Sequence, residues 1–163
     1  MDDTVLARLA AAGHRLPAPL VMPAANRRPF FCAGEVLTLS GHGSALLDEA
    51  VGPARIGKVP SEVSVEDAIR VAEATALKML ATVEAAIGDL ERVRQVLKIT
   101  GFINADPDFE APNAVLNGAS DLFVLAFGAE RGCHCRSAIG AGALVARQSV
   151  EIEGSFLVRA PLR

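Results

Sequence analysis

Tryptophan and tyrosine are absent from the 163 residues, so that seven phenylalanines are the only aromatic side chains. Without indole or phenol rings, the chain lacks the platforms on which many proteins stack single-stranded nucleic acid. The sequence also has no basic run, and its formal net charge is only −3. We therefore expect no nucleic-acid partner.

Long apolar runs are lacking too, although 51% of the residues are hydrophobic. No stretch approaches the roughly 20 apolar residues of a membrane-spanning helix, so we expect no membrane partner. Three cysteines, an odd number, are typical of a reducing compartment. The chain starts with Asp2 and Asp3, where a secretory signal has basic residues. These features predict a cytoplasmic protein, and the length predicts one domain over residues 1–163.

The clearest periodic segment is Val65 to Ile87, where apolar residues recur at intervals of three and four. Ser64 is a good N-cap for this helix, Asp67 follows three residues later, and Gly88 ends the pattern. The other predicted elements are, in chain order, a helix over Thr4 to Ala12, an extended lead-in through residue 27, strands Phe30 to Ala33 and Val36 to Leu39, a strand over Arg92 to Ile103, a helix over Asn117 to Phe127, and strands Cys133 to Gly140 and Gln148 to Glu153.

After the first short helix, the order of elements is β-β-α-β-α-β-β. This order predicts an α+β fold, in which a mixed β-sheet carries both longer helices on one face. In the strand Arg92 to Ile103, alternation assigns Val93, Leu97 and Ile99 to the same side. Nothing in the chain remains to cover the other face of the sheet, so we expect it to pack against copies of itself.

Two charged residues near the end of the chain form the main candidate site. Arg136 is a lone guanidinium in a weakly polar strand, and Glu151 lies on what we expect to be the neighbouring strand. An arginine fork binds a carboxylate or phosphate through two parallel hydrogen bonds. A nearby glutamate could orient water or shuttle a proton. An ordinary cross-strand ion pair explains the same pattern, and these residues alone favour it.

Two further motifs are open to more than one interpretation. In Ser40-Gly41-His42-Gly43-Ser44, glycine backbone N–H groups could approach a ligand, although an ordinary glycine turn is the simpler explanation. Cys133-His134-Cys135 has three soft ligands in a row but no fourth, so we predict no metal site. A thiol made reactive by Arg136 is an alternative, and plain packing is the favoured interpretation.

Several motifs, taken in register, resemble the Rid family, also called the YjgF or endoribonuclease L-PSP-like family. The likeness runs from about Arg28 to Val158, and Asn117 to Leu122 is most similar to a longer, YjgH-like branch. The matching pieces are Leu39-Ser40-Gly41, Gly88 to Val93, Asp106 to Phe109, Asn117 with Phe123, Arg136-Ser137-Ala138, and Leu144 with Glu151-Ile152-Glu153.

The resemblance implies a chorismate-mutase-like fold and a homotrimer with three ligand clefts between subunits. Members of the founding branch are enamine/imine deaminases, which hydrolyse 2-aminoacrylate-type intermediates to 2-keto acids and ammonia without a metal or cofactor. By that likeness Arg136 would clamp the substrate carboxylate, and Glu151 would position water or relay a proton. The cleft would also include the backbone at Ala138 and the residues Asn117, Ser40, Gly41 and His42.

This sequence also departs from the family's pattern. The family's cleft includes a tyrosine, and here Arg27, Arg28 or Phe30 falls near its place. Ala138 replaces a frequent cysteine, and His42 stands where glutamine is common. The alternatives are therefore a trimer that binds a small carboxylate without turnover and, in third place, a ribonuclease, a name that some relatives carry.

Overall fold

A five-stranded mixed sheet with helices on one face forms the fold in the computed structural model, which describes residues 3–22 and 26–159. The helices are α1 (Val5–Ala11), α2 (Val65–Ile87) and α3 (Pro112–Gly132). The strands are β1 (Phe30–Ala33), β2 (Val36–Gly43), β3 (Val93–Asn104), β4 (Cys135–Ala141) and β5 (Val150–Val158). The predicted order of elements is confirmed.

The strands lie in the order β1-β2-β5-β3-β4, so the last strand of the chain inserts into the middle of the sheet. β3 and β4 are parallel and are joined through α3, whereas the other pairs are antiparallel. We predicted that the strand of Glu151 would neighbour the strand of Arg136. That prediction is wrong, because β3 lies between them.

Helix α2 has the bounds that the sequence predicts. Its N-cap is Ser64, whose hydroxyl oxygen accepts from the Asp67 N–H at 3.1 Å, and Gly88 takes a left-handed conformation at its end. The helix packs on β2 and β5 through a fully buried stripe that includes Ala72, Ala76 and Leu80. This contact forms the centre of the hydrophobic core.

Helix α3 begins earlier than predicted and lies very close to α2; its helical backbone is interrupted at Gly128, next to the predicted end at Phe127. It starts at Pro112, because proline at the start of a helix lacks only an N–H that would have no intrahelical partner. The sequence pattern predicted a start at Asn117. At the crossing, a methyl group on Gly118 would lie 2.1 Å from the Ile69 carbonyl oxygen, so only glycine permits this approach.

The predicted alternation in β3 holds for only part of the strand. The register shifts between Val93 and Gln95 and again between Val96 and Lys98. As a result Val96 is fully buried, while Leu97 is only half-buried. The irregularities change which side chains face the helices, and a strict period of two cannot predict this.

The N-terminal segment packs along the helical layer. Thr4 caps α1, and Val5 and Leu9 are buried, which confirms the predicted short helix. Residues 1–2 and 23–25 of the predicted N-terminal segment lie outside the described residues. No helix within the described part of the chain has the length and apolarity needed to span a bilayer.

The face of the sheet away from the helices is not covered by any element in the described ranges, and we call it the open face. Strand register assigns these side chains to it, since paired residues lie on the same side. They include Phe31, Val36, Thr38, Lys98, Thr100, Phe102, Ser137, Ile139, Glu151, Glu153, Ser155 and Leu157. Phe31 is 60% exposed and Ile139 43% exposed.

Candidate functional site

Arg136 lies on the helix side of the edge strand β4. Its strand partner is Ile99, which is fully buried under the helices. The Arg136 Nη1 donates to the Ser120 hydroxyl oxygen of α3 at 3.0 Å. No carboxylate among the described residues pairs with Arg136, whose side chain is exposed. The remaining N–H groups of its guanidinium are therefore available to an anion.

The side chains around Arg136 come from α3 and β4. Asn117 is exposed on α3, one turn before Ser120, and Ala138 follows Arg136 on the same side of β4. The His134 Nε2 lies 3.1 Å from the Ser120 hydroxyl oxygen. We call these five residues, Asn117, Ser120, His134, Arg136 and Ala138, the arginine half-site.

Glu151 lies on the open face of β5 and is half-buried. The Gln148 amide donates to its Oε2. Burial raises the pKa of Glu151 above its ordinary value, the bond from Gln148 opposes the rise, and the charge of Glu153 adds to it. A carboxyl group with a raised pKa in a partly dry setting is suited to proton transfer at neutral pH.

The two glycines of the predicted ligand loop make room for these side chains. A methyl group on Gly41 would lie 2.1 Å from the Glu151 Oε1, and one on Gly43 would lie 1.8 Å from the Gln148 Oε1. Neither distance is compatible with a Cβ atom unless the neighbouring side chain moves. Gly41 and Gly43 thus permit the observed places of Glu151 and Gln148.

Ser40 connects this loop to the segment before β1. The register shift between Leu39 and His42 takes Ser40 and Gly41 out of the regular ladder. The Ser40 hydroxyl donates to the Arg28 carbonyl oxygen at 2.6 Å. We call Ser40, Gly41, Gln148 and Glu151 the glutamate half-site.

A shallow pocket of about 390 Å³ adjoins Ser40. Its lining includes Arg27, Arg28 and Phe30, the residues that stand near the place of the family's tyrosine. Two arginines therefore lie beside the glutamate half-site.

His42 is fully buried on the helix side of β2, so its side chain is not available to a ligand in this chain. Its Nδ1 donates to the Ser40 carbonyl oxygen at 2.7 Å, and its Nε2 lies 2.8 Å from the Thr82 hydroxyl oxygen. Burial lowers the pKa of His42 to about 4. The residue supports the irregular backbone at Ser40 from beneath.

Arg136 and Glu151 lie on opposite faces of the same sheet. Arg136 shares the helix side with Ile99, whereas Glu151 shares the open face with Phe102, and β3 separates the two strands. The predicted cross-strand ion pair between them is therefore absent. One chain cannot present both groups to the same small molecule.

The three side chains of Cys133-His134-Cys135 have separate surroundings in the structure. Cys133 and Cys135 are both exposed, and His134 is occupied by Ser120 and by the Gly132 carbonyl oxygen. The described residues contain no cluster of three or more His, Cys, Asp or Glu that could hold a metal ion.

Sequence reasoning missed Ser120, His134 and Gln148 as members of the two half-sites. The spacing of three between Asn117 and Ser120, which puts both on one side of a helix, was the available signal for Ser120. His134 gave a misleading signal, because its cysteine neighbours suggested metal ligation. The contact between Gln148 and Glu151 depends on the turn before β5, which the pattern does not specify.

Known proteins match this chain over nearly its full length. A family model described as "YjgF/chorismate_mutase-like, putative endoribonuclease" matches residues 6–151. The Trypanosoma cruzi protein TCP17 is 37% identical over 149 residues, which is 91% of each chain. Among solved structures, the Agrobacterium tumefaciens protein Atu1372, described as having unknown function, is 35% identical, with a TM-score of 0.84 over 97% of this chain and 94% of that one.

A second solved structure supports the fold. It is a Shewanella oneidensis protein described as a "putative endoribonuclease", with 24% identity and a TM-score of 0.87 over 96% of this chain and all of that one. Assignment to the YjgH-like branch stays a prediction. Since the family model covers most of the chain and a relative is 37% identical over 91% of it, the protein belongs to the YjgF/chorismate mutase-like family, as its motifs predicted.

Proposed function

We propose that this protein hydrolyses small imine or enamine carboxylates of the 2-aminoacrylate type, giving a 2-keto acid and ammonia. The observation that carries the proposal is the pair of half-sites. One has an arginine fork with no carboxylate partner among the described residues, and the other has a glutamate whose pKa is raised by burial. The activity is the one that the resemblance to the founding branch implies.

Arg136 would hold the substrate carboxylate. One of its N–H groups is committed to Ser120, which leaves others for two parallel bonds to the carboxylate oxygens. Asn117, which is exposed on α3 one turn before Ser120, would contact the same ligand. Holding the substrate in one orientation lowers the entropic part of the barrier.

Glu151 would move the protons. An enamine substrate first becomes the imine, as one proton leaves its nitrogen and one adds to its terminal carbon. In its ionised form Glu151 takes a proton from water while the water oxygen bonds to the imine carbon, and it gives this proton to the nitrogen, which yields a carbinolamine. Glu151 then takes the hydroxyl proton of the carbinolamine and passes it to the amine nitrogen as the carbonyl forms and the C–N bond breaks, so that the nitrogen leaves as ammonia. One imine and one water thus become one keto acid and one ammonia, and Glu151 is regenerated. The C=N bond is already reactive, so a single acid/base group suffices.

The complete site would need two chains. We propose a homotrimer, in which the arginine half-site of one subunit faces the glutamate half-site of the next. The separation of Arg136 and Glu151 onto opposite faces supports this arrangement. The open face supports it too, because Phe31 and Ile139 expose apolar surface there that a second copy would bury.

A trimer that binds small carboxylates without turnover is the second candidate. The lack of tyrosine and the alanine at position 138 favour it, since both change the wall of the cleft. A ribonuclease, the description given to the Shewanella oneidensis relative, ranks third. The absence of tryptophan, tyrosine and a basic run weighs against it.

The test is ammonia release from freshly generated 2-aminoacrylate and longer 2-imino acids. We expect the wild type to accelerate release, and Arg136→Ala and Glu151→Ala to lower the rate by about a hundredfold or more while the oligomeric mass is unchanged. Arg15→Ala removes an exposed arginine that belongs to neither half-site and serves as the control.

Binding of pyruvate separates the first two candidates. In the proposed enzyme, Glu151→Ala keeps pyruvate binding while it loses turnover, whereas Arg136→Ala loses both. A wild type that binds pyruvate through Arg136 but does not accelerate ammonia release would replace the enzyme with the binding trimer.

A further inference from the structure

His134 has a fixed orientation at the junction of α3 and β4. Its Nδ1 lies 2.6 Å from the Gly132 carbonyl oxygen, which can only accept, so Nδ1 carries the hydrogen. Its ring and that of the fully buried Phe123 are nearly perpendicular, with the ring centroids 5.8 Å apart. The imidazole is therefore held both by the backbone and by the core.

This orientation determines the direction of the next hydrogen bond. In the neutral ring, a protonated Nδ1 leaves Nε2 as an acceptor, so the Ser120 hydroxyl donates to it across 3.1 Å. Burial lowers the pKa of His134, the bond to Gly132 opposes the fall, and the charge of Arg136 adds to it, so the net shift favours the neutral ring. The lone pairs of the Ser120 oxygen then remain for a donor.

Arg136 is that donor, at 3.0 Å. Each group in the chain Arg136–Ser120–His134–Gly132 thus has one role, and the chain ends on a backbone carbonyl that cannot rotate. Arg136 itself is exposed on an edge strand, where an arginine without this partner would sample many rotamers.

We propose that Ser120 and His134 are positioning residues for Arg136, and that they fix its guanidinium in the orientation that receives a carboxylate. That Arg136 receives a carboxylate rests on the proposed function. The hydrogen-bond chain itself does not, so the two can be tested apart.

The first test uses side-chain ¹⁵N NMR of the full-length protein at neutral pH, without ligand. We expect His134 as the Nδ1-protonated tautomer and Arg136 as an ordered side chain. In Ser120→Ala, Arg136 should become as mobile as the exposed Arg15, and in Ser120→Thr, which keeps the hydroxyl, it should stay ordered. An Arg136 that is equally mobile in the wild type and in Ser120→Ala overturns the proposal, as does the Nε2-protonated tautomer of His134.

The second test measures kinetics with 2-aminoacrylate and binding of pyruvate. Loss of positioning weakens ground state and transition state together, so KM and the pyruvate Kd should rise about three- to tenfold in Ser120→Ala and in His134→Phe, with kcat nearly unchanged. In Ser120→Thr, which keeps the hydroxyl, KM and the pyruvate Kd should be those of the wild type. Unchanged KM and Kd in Ser120→Ala would contradict a positioning role.

Matched controls exclude a general effect of the substitutions. Ser61→Ala removes an exposed hydroxyl and His14→Gln a half-buried imidazole, both outside the half-sites, and neither should change KM. If the wild type neither binds pyruvate nor releases ammonia, yet Ser120→Ala frees Arg136 in the NMR test, the proposed function fails and the positioning chain stands.

Discussion

At the scale of single residues, His42 is a buried histidine that the fold keeps uncharged. Its pKa falls to about 4 because burial penalises the imidazolium, and Lys78 adds to the effect against the bond to Ser40. The unfolded chain binds this proton with a pKa near the ordinary value of about 6.5. Between these two values the unfolded state holds more protons, so the free energy of unfolding falls as the pH falls.

We predict a matching loss of stability in acid. From pH 7.5 to 4.5, protonation of the unfolded histidine should lower the free energy of unfolding by about 2–3 kcal/mol. Urea unfolding at the two pH values measures this loss in the wild type and in His42→Gln, which does not titrate. Between these pH values the free energy of unfolding of His42→Gln should fall by about 2–3 kcal/mol less than that of the wild type.

The control is His14→Gln, which also replaces one imidazole by an amide but at a half-buried position. This variant keeps His42, so it should retain the decrease in the free energy of unfolding that His42 causes. Equal losses in the wild type and in His42→Gln would show that His42 is not the group responsible.

The sequence predicts a residue of the site only where the residue type itself, such as a charged side chain in a weakly polar strand, indicates a chemical role. Arg136 and Glu151 are charged residues in otherwise weakly polar strands, which is a signal that the sequence carries by itself. His42 is equally conspicuous, but its burial depends on the register of β2 against β5. The sequence pattern does not show that His42 is buried, and for this reason it predicted a contact between His42 and a ligand.

At the scale of elements, the approach of α3 to α2 depends on one residue without a side chain. A Cβ on Gly118 would lie 2.1 Å from the Ile69 carbonyl oxygen and 3.2 Å from the Glu73 nitrogen, both of them backbone atoms in a regular helix. Backbone atoms cannot swing aside as the end of a side chain can. An added methyl group must therefore push the two helices apart.

We predict that Gly118→Ala lowers the free energy of unfolding by about 3 kcal/mol, despite the better helix propensity of alanine. Urea unfolding at pH 7.5 measures the change. Gly142→Ala is the comparison, because nothing lies within 4 Å of the Cβ that it would add. A Gly118→Ala protein as stable as the wild type would mean that the helices separate without cost.

The helices and strands themselves were predictable to different degrees. α2 has a capping serine, a continuous apolar stripe and a terminal glycine, so local signals specify both of its ends. The beginning of α3 was missed because Pro112 looked like part of a loop. The sequence did not predict correctly which β3 side chains face the helices, because the irregularities of β3 arise from its pairing with β5, which is distant in the chain.

At the scale of the whole molecule, the two half-sites predict a cleft that is shared between chains. The chain has a mass of 17.0 kDa, so the proposed trimer has a mass of about 51 kDa in solution. Light scattering measures this mass. A monomer at micromolar concentration would exclude the shared cleft.

Mixing two inactive variants tests directly whether each cleft is shared between two chains. After subunit exchange between equal amounts of Arg136→Ala and Glu151→Ala, an intact arginine half-site should meet an intact glutamate half-site in about a quarter of the clefts. The mixture should therefore recover about a quarter of wild-type ammonia release. Mixing Arg136→Ala with a chain that carries both substitutions should recover none.

No recovery after subunit exchange, verified by native mass spectrometry, would mean that the two residues do not act in the same cleft. Recovery to a quarter would place Arg136 and Glu151 of different chains against one substrate. The measurement requires only that each variant keep the mass of the wild type.

The separation of Arg136 and Glu151 onto opposite faces also has a genetic consequence. In the proposed trimer each chain contributes to two clefts, to one through its arginine and to another through its glutamate. An allele that alters one of these residues, expressed equally beside the normal allele, would leave about half of the clefts intact. An allele that alters both would leave only about a quarter, so its effect would be the more dominant.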